Sequence, residues 1–194
     1  MANNCDTQYK LTGSRKAVND LWNTLQKMAV NKKDVYLYRL AEHYGIDYEK
    51  KGFSVRGYIY FAELDLNEEN EYYVLTIETD TAWAGCHDLF YAINEILEDE
   101  LSISYWEIEP GGNIFSVHDE NDFFPENYYV SAGGNLFEDI CEIYNTIADV
   151  IKEWCSKTGI KQEKRSDEEM MEFINGYEYE NDDTFFNIYP FEYE

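Results

Sequence analysis

Apolar and polar positions first alternate between Asp6 and Thr12, where Thr7, Tyr9 and Leu11 fall between polar neighbours, a period of two that predicts a half-buried strand. Gly13 and Ser14 break it. Ser14 is placed to cap a helix, because Val18, Leu21, Trp22, Leu25, Met28 and Ala29 then recur at three- and four-residue steps and form one apolar stripe. A shorter helical stretch is predicted over 35–44, with Leu37, Leu40, Ala41 and Tyr44 on one face and Gly45 ending it. Ser54 to Leu66 reads as a strand with Val55, Gly57, Ile59 and Phe61 on one side and Tyr58 and Tyr60 on the other. A polar turn at 67–70 leads to its return strand, Glu71 to Thr79, with Tyr73, Leu75 and Ile77 inward. Past Trp83-Ala84-Gly85, a helix carries Leu89, Phe90, Ile93, Ile96 and Leu97, and Leu101 to Glu109 returns as a strand.

The order strand, helix, strand, strand, helix, strand predicts an α+β chain with the split β-α-β arrangement of the ferredoxin-like fold, an antiparallel sheet with helices on one face. The expected body is 1–132, including the inserted short helix near 35–45. Within it, Pro110-Gly111-Gly112-Asn113 is a turn that folds Ile114 to Val117 back on the fourth strand, and 128–132 is a further short strand. Residues 133–160 then read as one long amphipathic helix packed on the body. Asn135 and Glu138 resemble a capping box, and Phe137, Ile140, Cys141, Tyr144, Ile147, Ala148, Ile151, Trp154 and Cys155 make its stripe. Residues 161–194 form an acidic, aromatic C-terminal extension around a short helix at 168–174.

Charge changes this picture most. The 194 residues hold 40 Asp and Glu against 15 Lys and Arg, a formal charge of -25, yet also 18 Tyr and 11 Phe. A disordered acidic chain lacks such aromatic content, so a folded domain with a strongly negative exterior is expected. That field repels nucleic-acid phosphates and anionic lipid, so the partners it favours are a basic protein surface or a cation. Cys5, Cys86, Cys141 and Cys155 are far apart, with neither a disulfide framework nor zinc-finger spacing, and read as reduced. With no leader-like or membrane-spanning run in the chain, a cytoplasmic setting is expected.

The stretch Leu75-Thr76-Ile77-Glu78-Thr79, then Thr81-Ala82-Trp83, an amphipathic helix, and Ile103-Ser104-Tyr105-Trp106-Glu107-Ile108-Glu109-Pro110-Gly111 resembles the YubB-like ferredoxin-like family of phage, plasmid and gut-bacterial proteins. Ala2-Asn3 and Leu11-Thr12-Gly13 are similar to its opening. The resemblance implies the fold and a bacterial or mobile-element setting, and brings no catalytic residues.

Candidate chemistry is sparse. Cys86, His87, His118 and Asp119 are the residue types of a zinc site, and Cys86 with His118 as base those of a thiol nucleophile, but adjacent residues at a helix start point apart and no third orienting group is visible. Glu107 and Glu109 share a strand face; close and half-buried, they would be coupled, one resisting loss of its proton. Asp119, Glu120, Asn121 and Asp122 offer hard ligands for calcium without the spacing or central glycine of an EF-hand. Trp83 with Gly85 is expected to pack an indole under the sheet edge, and Glu109 to Gly112 to serve turn geometry.

The remaining candidate is protein binding by Glu178, Tyr179, Glu180, Asp182, Asp183, Phe185, Phe186 and Tyr189, where aromatic anchors sit among carboxylates that steer a basic partner; a solvated, partly disordered end and a tail packed back onto the body are the other readings of this stretch. The expectation is therefore a non-enzymatic acidic binding protein without cofactor, in one form a nucleic-acid mimic or anti-defence factor. The alternatives are a small metal-dependent or cysteine hydrolase, and a structural domain whose acidity serves solubility and whose helix stripe forms a homodimer.

Overall fold

The computed structural model describes residues 3–29, 34–67 and 72–193. The chain is α+β and divides into two compact units, 1–123 with 193–194, and 124–192.

In the first unit the leading strand, β1 (Asn4–Gly13), buries Cys5, Thr7, Tyr9 and Leu11 on one face, as its alternation predicts. The Ser14 hydroxyl accepts the Ala17 amide and opens helix α1 (Arg15–Met28), whose Ala17, Val18, Leu21 and Leu25 are buried. The stretch expected as one short helix is a two-residue strand, β2 (Val35–Tyr36), followed by α2 (Leu37–His43); a one-turn helix, α3 (Tyr48–Lys51), follows on an Asp47 cap. Strands β3 (Gly57–Asn67) and β4 (Tyr72–Ala82) form the expected antiparallel pair, and the turn assigned to 67–70 lies, beyond Asn67, outside the described residues. Helix α4 (His87–Ile96), β5 (Leu101–Glu109) and β6 (Ile114–His118) complete the run.

The sheet order is β10-β6-β5-β1-β4-β3-β2, with β10 the pair Glu192–Tyr193. The pairs β5/β1, β1/β4 and β4/β3 are all antiparallel. Tyr9 and Leu11 of β1, Leu75 and Ile77 of β4, and Ile103 and Tyr105 of β5 form one core with the buried faces of α1, α2 and α4. At roughly 25 cal/mol per Å² of apolar surface, this continuous burial is what holds the helices on that face.

Three side chains depart from expectation here, one of them Ile96, expected on the stripe of α4 but 48 % exposed at the helix end. A register shift between Ile59 and Phe61 inserts Tyr60 as an extra residue in β3. The pleat phase therefore reverses, leaving Phe61 41 % exposed while Ala62 and Leu64 pack on the core. Trp83, expected under the sheet edge, is 53 % exposed and sits at φ 78°, a left-handed conformation unusual for a bulky residue. In the turn after β5, the Asn113 amide closes on the Pro110 carbonyl, and Asn113 rather than a glycine takes the positive φ. Gly111 and Gly112 serve space instead: a Cβ on Gly112 would lie 2.5 Å from Glu109 Oε2.

The second unit corrects the C-terminal half. The 133–160 segment is no single long helix: Ile140–Tyr144 is a strand, β8, paired antiparallel with β7 (Tyr128–Gly133), and α5 spans only Ile147–Thr158. The cap is Thr146, whose side chain accepts the Asp149 amide, not Asn135. The stripe misled because Ile140 and Tyr144 suit a strand equally well, and β7 offers them an edge to pair with. Nor is 161–194 a mere extension. It supplies α6 (Asp167–Asn175), opened by a capping box between Ser166 and Glu169, and β9 (Phe185–Pro190), which pairs with the other edge of β7. Val130, Phe137, Val150, Ile151, Trp154, Met170, Ile174, Phe186 and Ile188 make its core, so the stripe of α5, which one alternative assigns to a homodimer, is buried within its own unit.

Candidate functional site

Two constellations collect the candidate residues. The first lies at the start of α4. Gly85 ends the loop there, and a Cβ on it would come within 2.4 Å of the His87 ring and 2.8 Å of Glu107 Oε2, so only glycine admits the pair. Glu107, reaching in from β5, accepts the Gly85 amide at 2.7 Å, the Ser116 hydroxyl at 3.1 Å and the Cys5 thiol at 3.5 Å. His87 Nε2 lies 3.2 Å from Glu107 Oε2, an ion-pair distance, although the angle falls outside hydrogen-bond geometry. Its Nδ1 is 3.0 Å from the fully buried Tyr9 hydroxyl, and its ring stacks on Tyr105 at 3.7 Å.

Burial alone would raise the Glu107 carboxyl, but His87, the Gly85 amide and the Ser116 hydroxyl overcome it and hold the pKa down at about 2. Glu107 is therefore not the member of the Glu107 and Glu109 pair that resists ionising: the His87 charge and the Gly85 and Ser116 donors outweigh its burial. Glu109 is buried and accepts the Gly111 amide at 3.0 Å.

The thiols tell against a nucleophile. Burial pushes Cys86 up to about 11 and Cys5 up to about 12, so both are thiols near neutrality. All four cysteines are free. Tyr105 brings His118 near, with ring centroids 5.4 Å apart, but His118 turns to Glu120 at 3.6 Å and not to Cys86 or His87. The loop weighed for calcium spends its groups on β5: the Glu120 amide donates to Ser104 and the Asn121 side chain to Ser102. Among the described residues no three His, Cys, Asp or Glu are grouped so as to hold a metal ion. No helix among them is long and apolar enough to cross a membrane.

The second constellation is the segment between α6 and β9. Asn175 ends α6 and pairs with both backbone groups of Ile188, which draws the two ends of the segment together. The Asn181 side chain accepts the Asp183 amide and its carbonyl the Thr184 amide, shaping the loop tip. Tyr177 and Tyr179 alternate onto one side and fold back onto the core. Their rings meet edge-to-face at 4.8 Å, Tyr177 stands on Trp154 at 5.4 Å, and the Trp154 indole N–H donates to the Tyr179 hydroxyl at 2.7 Å. The intervening Glu178 and Glu180 face solvent, with Asp182 and Asp183 beyond them.

Two adjoining cavities of about 360 and 340 Å³ share Tyr177, Tyr179, Asn181 and Thr184. The first is walled by Leu136 and rimmed by Glu180; the second is rimmed by Glu178 and Asp182 and reaches Phe185 and Phe186. Of the eight residues expected to bind a partner, six thus line one concave surface. Asp183 is exposed on the same loop, and Tyr189 points instead to Tyr129 at 6.3 Å. Phe186 is mainly a core residue, 2 % exposed. Sequence reasoning left out Tyr177, Asn181 and Leu136; only the tyrosine, two positions before Tyr179 in a strand-like alternation, carried a local signal. Among the described residues no Lys or Arg pairs with the carboxylates of Glu178, Glu180, Asp182 or Asp183.

Compared with known proteins, the chain matches no family model, no curated protein and no solved structure.

Proposed function

We propose that this is a non-enzymatic acidic binding protein that engages a basic protein surface through the concave face formed by 177–187. One observation carries the reading: a rigid aromatic floor, Tyr177 and Tyr179 braced on Trp154, is ringed by exposed carboxylates that no Lys or Arg pairs with among the described residues. Rigid aromatics with a charged rim are the anatomy of a protein contact site, the rings supplying affinity and the charges steering encounter. A nucleic-acid mimic is one form of this function, its carboxylates occupying the place of backbone phosphates on a basic partner.

The first unit is, in this reading, a ferredoxin-like sheet of the YubB-like kind, with the bacterial or mobile-element setting that goes with it. The order β5-β1-β4-β3, all antiparallel, with α1 and α4 as its connections, supports that assignment. A hydrolase built on Cys86, His87 and His118 draws less support, since Cys86 is held protonated by burial and His118 turns elsewhere.

The test is calorimetric titration of the full chain with a twelve-residue peptide alternating Gly with mixed Lys and Arg. Binding that weakens as salt rises, and that falls about tenfold or more when Glu178, Glu180, Asp182 and Asp183 are changed together to their amides, is the expected result. Absence of binding at low salt, or indifference to the four changes, overturns the proposal.

A further inference from the structure

We propose that the groove over Tyr177 and Tyr179 selects arginine over lysine side chains on the partner. This rests on the reading of that face as the docking surface and names the group it recognises.

The aromatic cluster is a run of edge-to-face contacts. Phe173 meets Trp154 at 6.0 Å, Trp154 meets Tyr177, and Tyr179 meets Phe137 at 5.7 Å. At its Phe173 end the chain places its own guanidinium: Arg165 lies over that ring at 4.2 Å from the centroid. The protein therefore already sets an arginine over one ring of this cluster. Tyr177, which also meets Phe173 edge-to-face at 5.8 Å, opens with Tyr179 into the paired cavities, where Glu178, Glu180 and Asp182 stand and, among the described residues, no Lys or Arg does.

Three physical features favour guanidinium over ammonium. A guanidinium is planar and weakly hydrated, so it stacks on an aromatic wall with little desolvation cost, whereas an ammonium keeps its water. Its five donors fan outward in a plane, and the rim supplies carboxylates on both lobes, Glu180 on one and Glu178 with Asp182 on the other, plus the Asn181 side chain. Finally, the floor is held before the partner arrives. The Trp154 indole N–H fixes Tyr179 at 2.7 Å and Trp154 itself is fully buried, so little side-chain freedom is lost on binding.

The experiment compares two peptides of equal length and charge, one Arg-Gly and one Lys-Gly repeat, titrated into the full chain at low salt. The Arg peptide is expected to bind about tenfold tighter. Glu180→Gln, on an exposed residue whose loss leaves the core intact, is expected to shrink that ratio to about threefold or less, because a rim acceptor for the fork is weakened. A second variant, Tyr177→Leu, is expected to abolish the preference while retaining salt-sensitive binding, with circular dichroism and a thermal melt confirming that it folds. Equal affinity for the two peptides, or a preference untouched in Glu180→Gln, overturns the arginine inference and leaves the docking surface standing. Failure of both peptides to bind overturns the docking surface and this inference with it.

Discussion

Glu107 shows what one side chain can be asked to do in a chain so rich in acid. It is nearly buried, its carboxylate gathers the Gly85 amide, the Ser116 hydroxyl and the His87 ring, and its pKa is held at about 2 against an ordinary 4.5. A carboxyl depressed on folding stabilises the native state fully above its unfolded pKa, and that contribution is lost as pH falls toward the folded value. Urea denaturation between pH 5 and about 2 is therefore expected to lose about 3 kcal/mol assignable to this group. In Glu107→Gln that part of the slope disappears, and the variant is about 2 kcal/mol less stable at neutral pH. An unchanged pH slope in the variant would show the carboxylate to be unimportant to the fold. None of this was legible at the residue itself. Forty acidic side chains look alike in sequence, and Glu107 is set apart by tertiary placement: the pairing of β5 with β1 and β6 brings Cys5 and Ser116 to it, and the start of α4 brings Gly85 and His87.

Elements were legible where local signals and tertiary pairing agreed, and misread where a free edge decided. The alternation of β1, the Ser14 cap of α1 and the place of the Pro110 turn are local and stand as expected, and the stripe of α4 holds at Leu89, Phe90 and Ile93 but leaves Ile96 exposed. The bulge at Tyr60 and the strand β8 are not, since both depend on the neighbour available. The same holds for a device used twice. Asn94 near the end of α4 donates to the Leu101 carbonyl and accepts the Leu101 amide, both at 2.9 Å, and Asn175 at the end of α6 does likewise with Ile188 at 2.9 and 2.8 Å. Each asparagine binds its helix to the following strand at a backbone site. For β9 this clip also satisfies Ile188, which is almost wholly buried. Asn175→Ala should strand both backbone groups and cost about 2–4 kcal/mol, whereas Asn175→Asp should recover only the amide bond. Amide hydrogen exchange is the measurement: Ile188 is expected to lose protection in the alanine variant. Retained protection there would mean that the β7 ladder alone holds the strand.

At the scale of the whole molecule, composition announced the charge but not where the aromatic residues would go. That the C-terminal segment packs back is one of the readings its aromatic residues allow, but nothing local says that Phe186 and Ile188 belong under α5 and α6; only the open edge of β7 does. Folding it back concentrates Glu178, Glu180, Asp182 and Asp183 on a single loop of a protein already at -25. Compensation is scant: among the described residues Lys51 with Glu95, at 2.8 Å, is the single Lys or Arg pairing with a carboxylate within ion-pair distance. Self-repulsion then outweighs attraction, and salt, which screens both, should act on the larger. The melting temperature is accordingly expected to rise by several degrees, equivalent to roughly 1 kcal/mol, between low salt and about 0.5 M sodium chloride. A cationic peptide seated on the 177–187 face should produce the same rise at low salt by neutralising part of the field, and the rise should disappear when the four carboxylates there are amides. A melting temperature that falls with salt would mean that attractive pairs hold this molecule together, and its acidity would then lose its meaning as a surface kept open for a basic partner.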